Sequence, residues 1–567
     1  MKRVGHWIYF LAIGCVTVVA PSGVSAQQVR GIVSDSMSRR PIPGAVLILL
    51  DPTGATLGRN ITNERGEFVL AGAAQARRLR VQRIGFRPRE VMIPPAVNGV
   101  AEINVAMIAI PTFLEPVRVT ASQCARRSDQ GSALALLEQA RAGLLTTVVA
   151  REAKPAAMVL FMFTRLLEGT TDKIDSQTVR VDSAYRSAVS FSAAHNAAEF
   201  VRRGFVQAEA DGFTFFAPDA DVLLDDQFSN GYCFRVMEPN RARPNQVGLG
   251  FVAADKRRQR VDIDGALWID TVARALRDIE FRYVGLDPGI ERFEPGGRIA
   301  FREMSNGTVL VDRWSLRLIG AKNDTINDTR SRTQVANIVT SFYASESGGE
   351  LGHAVWRDGT AWHAPLGVVD IRAVRRNRSP ARGVELGAPG TPYRTSTDST
   401  GRAVLRDLVP GPYSIVALHP MLDTLGLTIP TGFRFTSQRD SSALIATVPG
   451  LKEFVLDRCQ AERTPRSLSL DSTMVIGRMM NGDDKPVAGV IWRATLISNP
   501  SNPVVLREGG RTSSDGVIAI CHSALSQRGV LEIAASKDNG PSTIVRHTLK
   551  PGVNAIRIPI DSRPDRD

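Results

Sequence analysis

Histidine is scarce in this sequence and never placed for metal chemistry. The seven residues His6, His195, His353, His363, His419, His522 and His547 form neither H-E-x-x-H nor H-x-H. A catalytic zinc site therefore has no ligand set. There is no G-x-S-x-G, no P-loop and no G-x-G-x-x-G, which removes the nucleophile elbow and the common nucleotide cradles. No cofactor is implied. Aromatic residues make up only 6% of the chain. The basic runs Lys256-Arg257-Arg258 and Arg375-Arg376 have no aromatic residues between them, so a nucleic-acid partner is not expected. Past the N-terminus no stretch reaches the ~18–20 apolar residues of a membrane span, so no transmembrane segment is expected in the mature chain.

What is present starts with an address. The opening MKRVGHWIYFLAIGCVTVVAPSGVSAQQ has Lys2 and Arg3, an apolar run from Trp7 to Ala20, and small residues at Val24-Ser25-Ala26. This predicts a secretory signal peptide over 1–26 and a mature start near Gln27. Cys15 raises lipidation as an alternative, but Ala12 stands where a lipoprotein signal carries leucine, and the apolar run continues past the cysteine. The net charge is +13; without Lys2 and Arg3 it is 13 − 2 = +11. That excess admits a polyanionic envelope partner, although the basic residues are scattered. The four remaining cysteines, Cys124, Cys233, Cys459 and Cys521, are disulfide candidates in an exported chain and allow three connectivities. Cys124–Cys233 with Cys459–Cys521 keeps each bridge between adjacent segments.

One pattern occurs three times. TNERGEFVL (62–70), TDSTGRAVL (397–405) and TSSDGVIAI (512–520) all read Thr-x3-Gly-x3-Leu/Ile. The glycine marks a turn with positive φ, and the alternation after it marks a strand. Upstream, PIPGAVLIL (41–49) and PVAGVIWRA (486–494) share a Pro/Gly turn before a strand, and PLGVVDIRAV (365–374) reads as their shortened counterpart in the middle copy. VRGIV (29–33) and VIGRM (475–479) are the first strands. Short strands with such punctuation predict β-sandwiches. These residues resemble carboxypeptidase regulatory-like domains, the transthyretin-like, Ig-like modules also found at the N-terminus of TonB-dependent receptors. The resemblance implies non-catalytic modules over 28–108, 350–457 and 472–562, and a bacterial envelope location, either periplasmic or outer-membrane-associated and extracellular. PTFLEPVRVTASQ, within a linker over 109–130, resembles the segment joining such a module to a receptor plug. The aromatic girdles and repeated ~10-residue amphipathic strands of an outer-membrane barrel are missing.

Residues 131–345 read differently. SALALLEQARAGLL (132–145) has apolar residues at helical spacing, with Ser132 as N-cap. Strands follow at 158–168, 178–192, 232–236 and 247–254, a hairpin over 261–286, and further strands at 297–304, 306–318 and 335–344. AAEFVRRGF (197–205) is a short helix, and Asn306-Gly307 is a hairpin turn. GALWID…LRDIEFRY resembles a segment of bacterial envelope proteins, including the curved open sheet of lipoprotein carriers. The expected fold class is mainly β: three Ig-like sandwiches around a central curved antiparallel sheet with a few helices.

Two functions follow as expectations. The first is an exported, non-enzymatic envelope protein that binds or scaffolds a protein, glycan or lipid. A lipid carrier needs a wide apolar cavity, and a glycan binder needs an exposed aromatic row. The alternative is a glycan or peptide hydrolase using Asp262, Asp264, Asp270 or the cluster Asp219, Asp221, Asp225 and Asp226, which requires those carboxylates to converge. The cluster also fits caps and turns, and lacks the Gly and Glu spacing of a calcium hand. Trp268 and Trp314 fit strand cores, with sugar platforms as the alternative, whereas Trp356 and Trp362 fit packing between domains, with stacking on a sugar ring as the alternative.

Overall fold

The computed structural model describes residues 28–110, 127–184, 191, 193–209, 212–254, 260–328, 333–461, 470–498, 504–526, 529–537 and 540–560. The signal peptide, Cys15 and Cys124 lie outside these residues, as do 185–190 and 192 of the strand expected over 178–192. The chain is mainly β, with three small two-sheet sandwiches and one ten-stranded antiparallel sheet.

The three sandwiches repeat one construction. The first strands are Gln28–Asp35, Gly367–Val374 and Met474–Met480. Each pairs antiparallel with the strand after the Thr-x3-Gly turn, and parallel with a final strand of its own module. The repeated threonine is a buried cross-brace. Thr62 Oγ1 accepts from Ala45 N at 2.9 Å and donates to Ile42 O at 2.7 Å. Thr397 does the same with Val384 N (2.8 Å) and Ala381 O (2.6 Å), and Thr512 with Val490 N (3.0 Å) and Val487 O (2.9 Å). The glycine four residues later has φ of 70°, 80° and 65° in the three copies. A Cβ there would meet the carbonyl of Val33, Ala373 or Met479 at 2.5–2.7 Å, so conformation and space both require glycine.

One expected alignment is corrected. Residues 365–374 are not the Pro/Gly-turn strand of the middle module. Gly367–Val374 is its first strand, and the Pro/Gly turn is Pro380-Ala381-Arg382-Gly383, ahead of the short strand Glu385–Gly387. The apolar run of 365–374 drew attention from this shorter strand, although Gly383, at φ 61°, matches Gly44 and Gly489.

The central sheet is a meander from Tyr232–Val236 at one edge to the strand Val309–Asp328, closed by Thr333–Trp356, Ala156–Leu167 and Ile174–Ala184. A helix spans Arg127–Ala153, so the N-cap expected at Ser132 is instead inside it. Gly131 costs only about 1 kcal/mol within a helix, less than the packing gained by continuing. Its segment Ser132–Ala153 is long and apolar enough for a membrane span by length and composition, with 61% of its 18-residue window buried inside the protein. Leu136, Ala140 and Leu144 join Leu249, Phe251, Ile263, Ile279 and Phe281 of the sheet in one core.

Thr333–Trp356 runs through 345–350, where a domain boundary was expected, and pairs onward with Ala361–His363. The glycines of SESGGELGH look like a linker but fit a crowded sheet. A Cβ on Gly348 would fall 2.3 Å from the Phe163 ring, one on Gly349 2.6 Å from Trp314 Nε1, and one on Gly352 2.3 Å from the Phe161 ring. Aromatic side chains of the neighbouring strands occupy that space.

The modules share cores with their neighbours. All five residues of Val46–Leu50 are buried, because the strand is covered on both faces. Leu47 and Leu49 fill the first sandwich, while Val46, Ile48 and Leu50 pack on Val149 and Ala150 of the long helix. Gly143 lets Ile84 approach the helix, and Gln139 accepts from Gly85 N at 2.8 Å. The third sandwich does likewise. Val475, Met479, Ile518 and Ile520 face its interior. Met474, Ile476, Val517 and Ala519 face a core holding Phe454 and Val455 of the helix Leu451–Ala461, the middle sandwich, and Phe161 and Phe163 of the central sheet.

Candidate functional site

The central sheet offers two faces. On the inner one the long helix and the sheet leave a cavity of about 40 Å³, bordered by Val148, Met158, Phe191, Ile299, Phe301 and Leu310. A ligand pocket is typically ~300–1,000 Å³, and this space suits a few water molecules. Lys154 closes one side. Its Nζ donates to Asn306 O at 3.3 Å, and burial lowers its pKa. The wide apolar cavity of a lipid carrier is not formed here, because the helix fills the face.

The outer face carries a groove of about 370 Å³. Its lining includes the small residues Gly265 and Ala266. Arg235, Met237, Val252, Asp264, Trp268 and Arg282 wall it. Trp268 offers no stacking surface to a sugar. It is 5% exposed, and the Arg243 guanidinium lies over its ring, 4.5 Å from the centroid. Arg243 is held in turn by Asp278 at 3.0 Å and by Glu280. Trp314 packs on Phe191 with ring centroids 5.1 Å apart. Trp356 and Trp362 belong to the central sheet rather than to the domain junction: Trp356 is buried with Met158, Leu351 and Met304, and Arg302 lies over Trp362.

Of the acidic residues proposed for hydrolysis, Asp262 and Asp264 sit two residues apart near one end of a strand, while Asp270 and the 219–226 cluster are placed elsewhere. Asp262, 6% exposed, is bound by Arg260 and by the Tyr232 hydroxyl. Burial, then the Asp262 charge, raises the Tyr232 pKa. Asp264 accepts from Ala253 N at 3.2 Å. Asp270 closes the turn at the far end of the same strand, accepting from Val272 N, Ala273 N and Arg277 at 2.8–2.9 Å. Eight residues of extended chain separate Asp262 from Asp270, roughly 26 Å. Asp219 and Asp225 cap two short helices through Val222 N (2.9 Å) and Gln227 N (2.8 Å). Asp221 pairs with Arg151 and Asp226 with Arg141. Each carboxylate has a local structural partner.

Cys459 of the helix Leu451–Ala461 and Cys521 of the third sandwich are joined by a disulfide with a Cα–Cα distance of 5.9 Å. Cys233 is also disulfide-bonded. His353 and His363 face each other across adjacent strands with rings stacked 3.9 Å apart. Burial, then the neighbouring His363, lowers the His353 pKa. Sequence reasoning missed this pair because ten residues separate the two histidines and only the register joins them. Among the described residues no group of three or more His, Cys, Asp or Glu side chains could hold a metal ion.

Among curated proteins none matches the chain. Solved structures give likenesses of low identity. The Bacillus anthracis TIE protein is 10% identical, with 62% of this chain covered, 63% of that protein spanned and a TM-score of 0.14. A D312A form of BcpA, the major pilin subunit of Bacillus cereus, is 8% identical over 94% of this chain and 98% of its own, with a TM-score of 0.12. A streptococcal ancillary pilin is 9% identical over 47% and 81%, with a TM-score of 0.14. Scores this low establish no shared fold. A family match covers the first sandwich: residues 28–108 are a carboxypeptidase regulatory-like domain.

Proposed function

We propose that this chain is an exported, non-enzymatic protein of the bacterial cell envelope that scaffolds or binds other proteins. The observation that carries the reading is the continuity of apolar core across module junctions. Val46, Ile48 and Leu50 join the first sandwich to the long helix, and one cluster joins the central sheet, the middle sandwich and the third sandwich. Interfaces between domains of one chain are usually modest in area and more polar than obligate interfaces. Here the junctions are built like interiors, which supports fixed spacing between the modules. The small inner cavity and the covered Trp268 weigh against lipid and glycan as ligand, and carboxylates already held by local structural partners weigh against a hydrolase. The N-terminal sequence supports export.

The test is native mass spectrometry of the mature chain isolated from its own envelope, before and after organic extraction. The expected species is the polypeptide alone or with a protein partner, unchanged by extraction. A lipid mass lost on extraction would overturn the protein reading.

A further inference from the structure

The longest strands of the central sheet outrun their neighbours. Val309–Asp328 pairs with the preceding strand only as far as Arg317. Thr333–Trp356 pairs with Ala156–Leu167 only from Ser345 onward. Between these limits the ladder continues from Leu318↔Ser345 to Asp328↔Thr333, and among the described residues no further strand pairs with either outer edge. At about 3.3 Å per residue the ribbon projects roughly 30 Å beyond the sheet. Its root is built: Phe293 packs with Ala344 and Leu167, next to Ile319. Tyr343 lies over Gly320, its register partner, where a Cβ would fall 2.1 Å from the ring.

A two-stranded ribbon alone in water is marginal, and an open strand edge is a template for another chain. Proteins guard such edges with charge or proline. Leu318–Asp328 carries Lys322, Asp324 and Asp328, whereas residues 335–344, VANIVTSFYA, have no charge, proline or glycine. Six of these ten residues are β-branched or aromatic, the types favoured in strands. Phe342 and Tyr343 are each 41% exposed.

We infer that the open edge of this strand, over 335–344, is a self-association surface on which a second copy of the chain adds its own 335–344 edge, antiparallel. The uncharged run decides the occupant. Two mature chains, each of net charge 13 − 2 = +11, repel each other, yet antiparallel pairing through this run sets no like charges opposite one another. A two-fold arrangement pairs the 335–344 edge of both copies at once and closes the assembly. The ten residues per copy fall short of the ~20–30 residues a side of a standard interface, so the dimer is weak, with Kd in the micromolar range. The inference stands on the ribbon and holds whether or not the chain is a scaffold.

Sedimentation velocity of the mature chain across the micromolar range tests it. The expected result is a concentration-dependent monomer–dimer equilibrium. Asn337→Lys with Val339→Lys should weaken it by about tenfold or more, as should Asn337→Glu with Val339→Glu. The register sets these positions opposite Thr325 and Asn323, so neither sign of charge meets a charged residue directly across the ribbon. Mixing the lysine and glutamate variants should restore a heterodimer, which a misfolded ribbon could not do. A native chain that stays monomeric, a dimer indifferent to the lysines, or a mixture that fails to reassociate would each overturn the proposal.

Discussion

Replacing Thr397 by valine keeps the shape of the side chain and deletes only its hydroxyl. That hydroxyl donates to Ala381 O at 2.6 Å and accepts from Val384 N at 2.8 Å. Thr397 is 5% exposed and Ala381 0% exposed, so water does not reach the orphaned carbonyl. A buried polar group left unpaired costs about 1–3 kcal/mol. Ala381 O takes a value near the top of that range. Val384 is half-buried, and water recovers part of its loss. The sum is about 3–4 kcal/mol, localised to the middle sandwich. Hydrogen exchange read by mass spectrometry on peptides covering 381–417 measures it as a lower opening free energy. Thr400→Val is the control, because exposed Thr400 bonds only within its own turn, to Asp398 Oδ1 at 2.7 Å and through its N–H at 2.8 Å, and should change stability by less than about 0.5 kcal/mol. Thr62→Val and Thr512→Val should repeat the Thr397 result in their own modules. If Thr397→Val opened no more readily than Thr400→Val, the cross-brace would be incidental, and the repeated threonine would need another explanation.

Further outcomes follow from the junctions and from buried phenols. Cys459→Ser removes a link closing a 62-residue separation and should lower stability by about 2–4 kcal/mol, read as an earlier urea transition of the third sandwich. Arg439→Ala leaves Glu350, 3% exposed, without its ion-pair partner across the junction of the central sheet and the middle sandwich. The cost should be about 3 kcal/mol, with Arg439→Lys recovering part of it in the same urea titration. Burial raises the pKa of Tyr232, Tyr283 and Tyr413, and pushes Tyr393 up to about 12. The folded chain then holds protons that the unfolded chain releases, so the Tyr393 contribution is complete below pH 10 and is lost between pH 10 and about 12. Phenolate absorbance from these four residues should appear together with loss of near-UV circular dichroism, and earlier ionisation of Tyr393 would refute its burial.

The sandwiches were legible because their signals are local. A threonine four residues before a glycine makes a turn whatever lies beyond it, and the alternation Phe68, Leu70 or Ile518, Ile520 states which way the strand faces. The middle copy was misaligned where that locality weakened, since Glu385–Gly387 is too short to alternate. The candidate site was less legible. Register alone brings His353 to His363. At 219–226 Asp219 and Asp225 cap short helices, one of the roles the sequence allowed, because capping depends on the next two or three residues.

The junctions show where composition misleads, and why. A linker and a crowded sheet can carry the same glycines. In the first case nothing is near the backbone; in the second a large side chain has taken the place of the missing Cβ. SESGGELGH belongs to the second case because Phe161, Phe163 and Trp314 stand beside it on neighbouring strands, some 150 or more residues away in sequence for the two phenylalanines. The converse signal is an apolar run without alternation. AVLILL in the first sandwich and MVIGRMM in the third cannot be satisfied by one sandwich, whose inner face takes only every second residue. Such a strand needs a second cover, and each has one: the long helix for Val46, Ile48 and Leu50, and the helix Leu451–Ala461 for Met474 and Ile476. By contrast GVVDIRAV in the middle sandwich alternates, with Asp370 and Arg372 on its outer face beside the exposed Ile445 of the parallel strand. Loss of alternation in a module of this kind therefore marks the face that docks, and the two ends of this chain dock while one face of its middle module stays open.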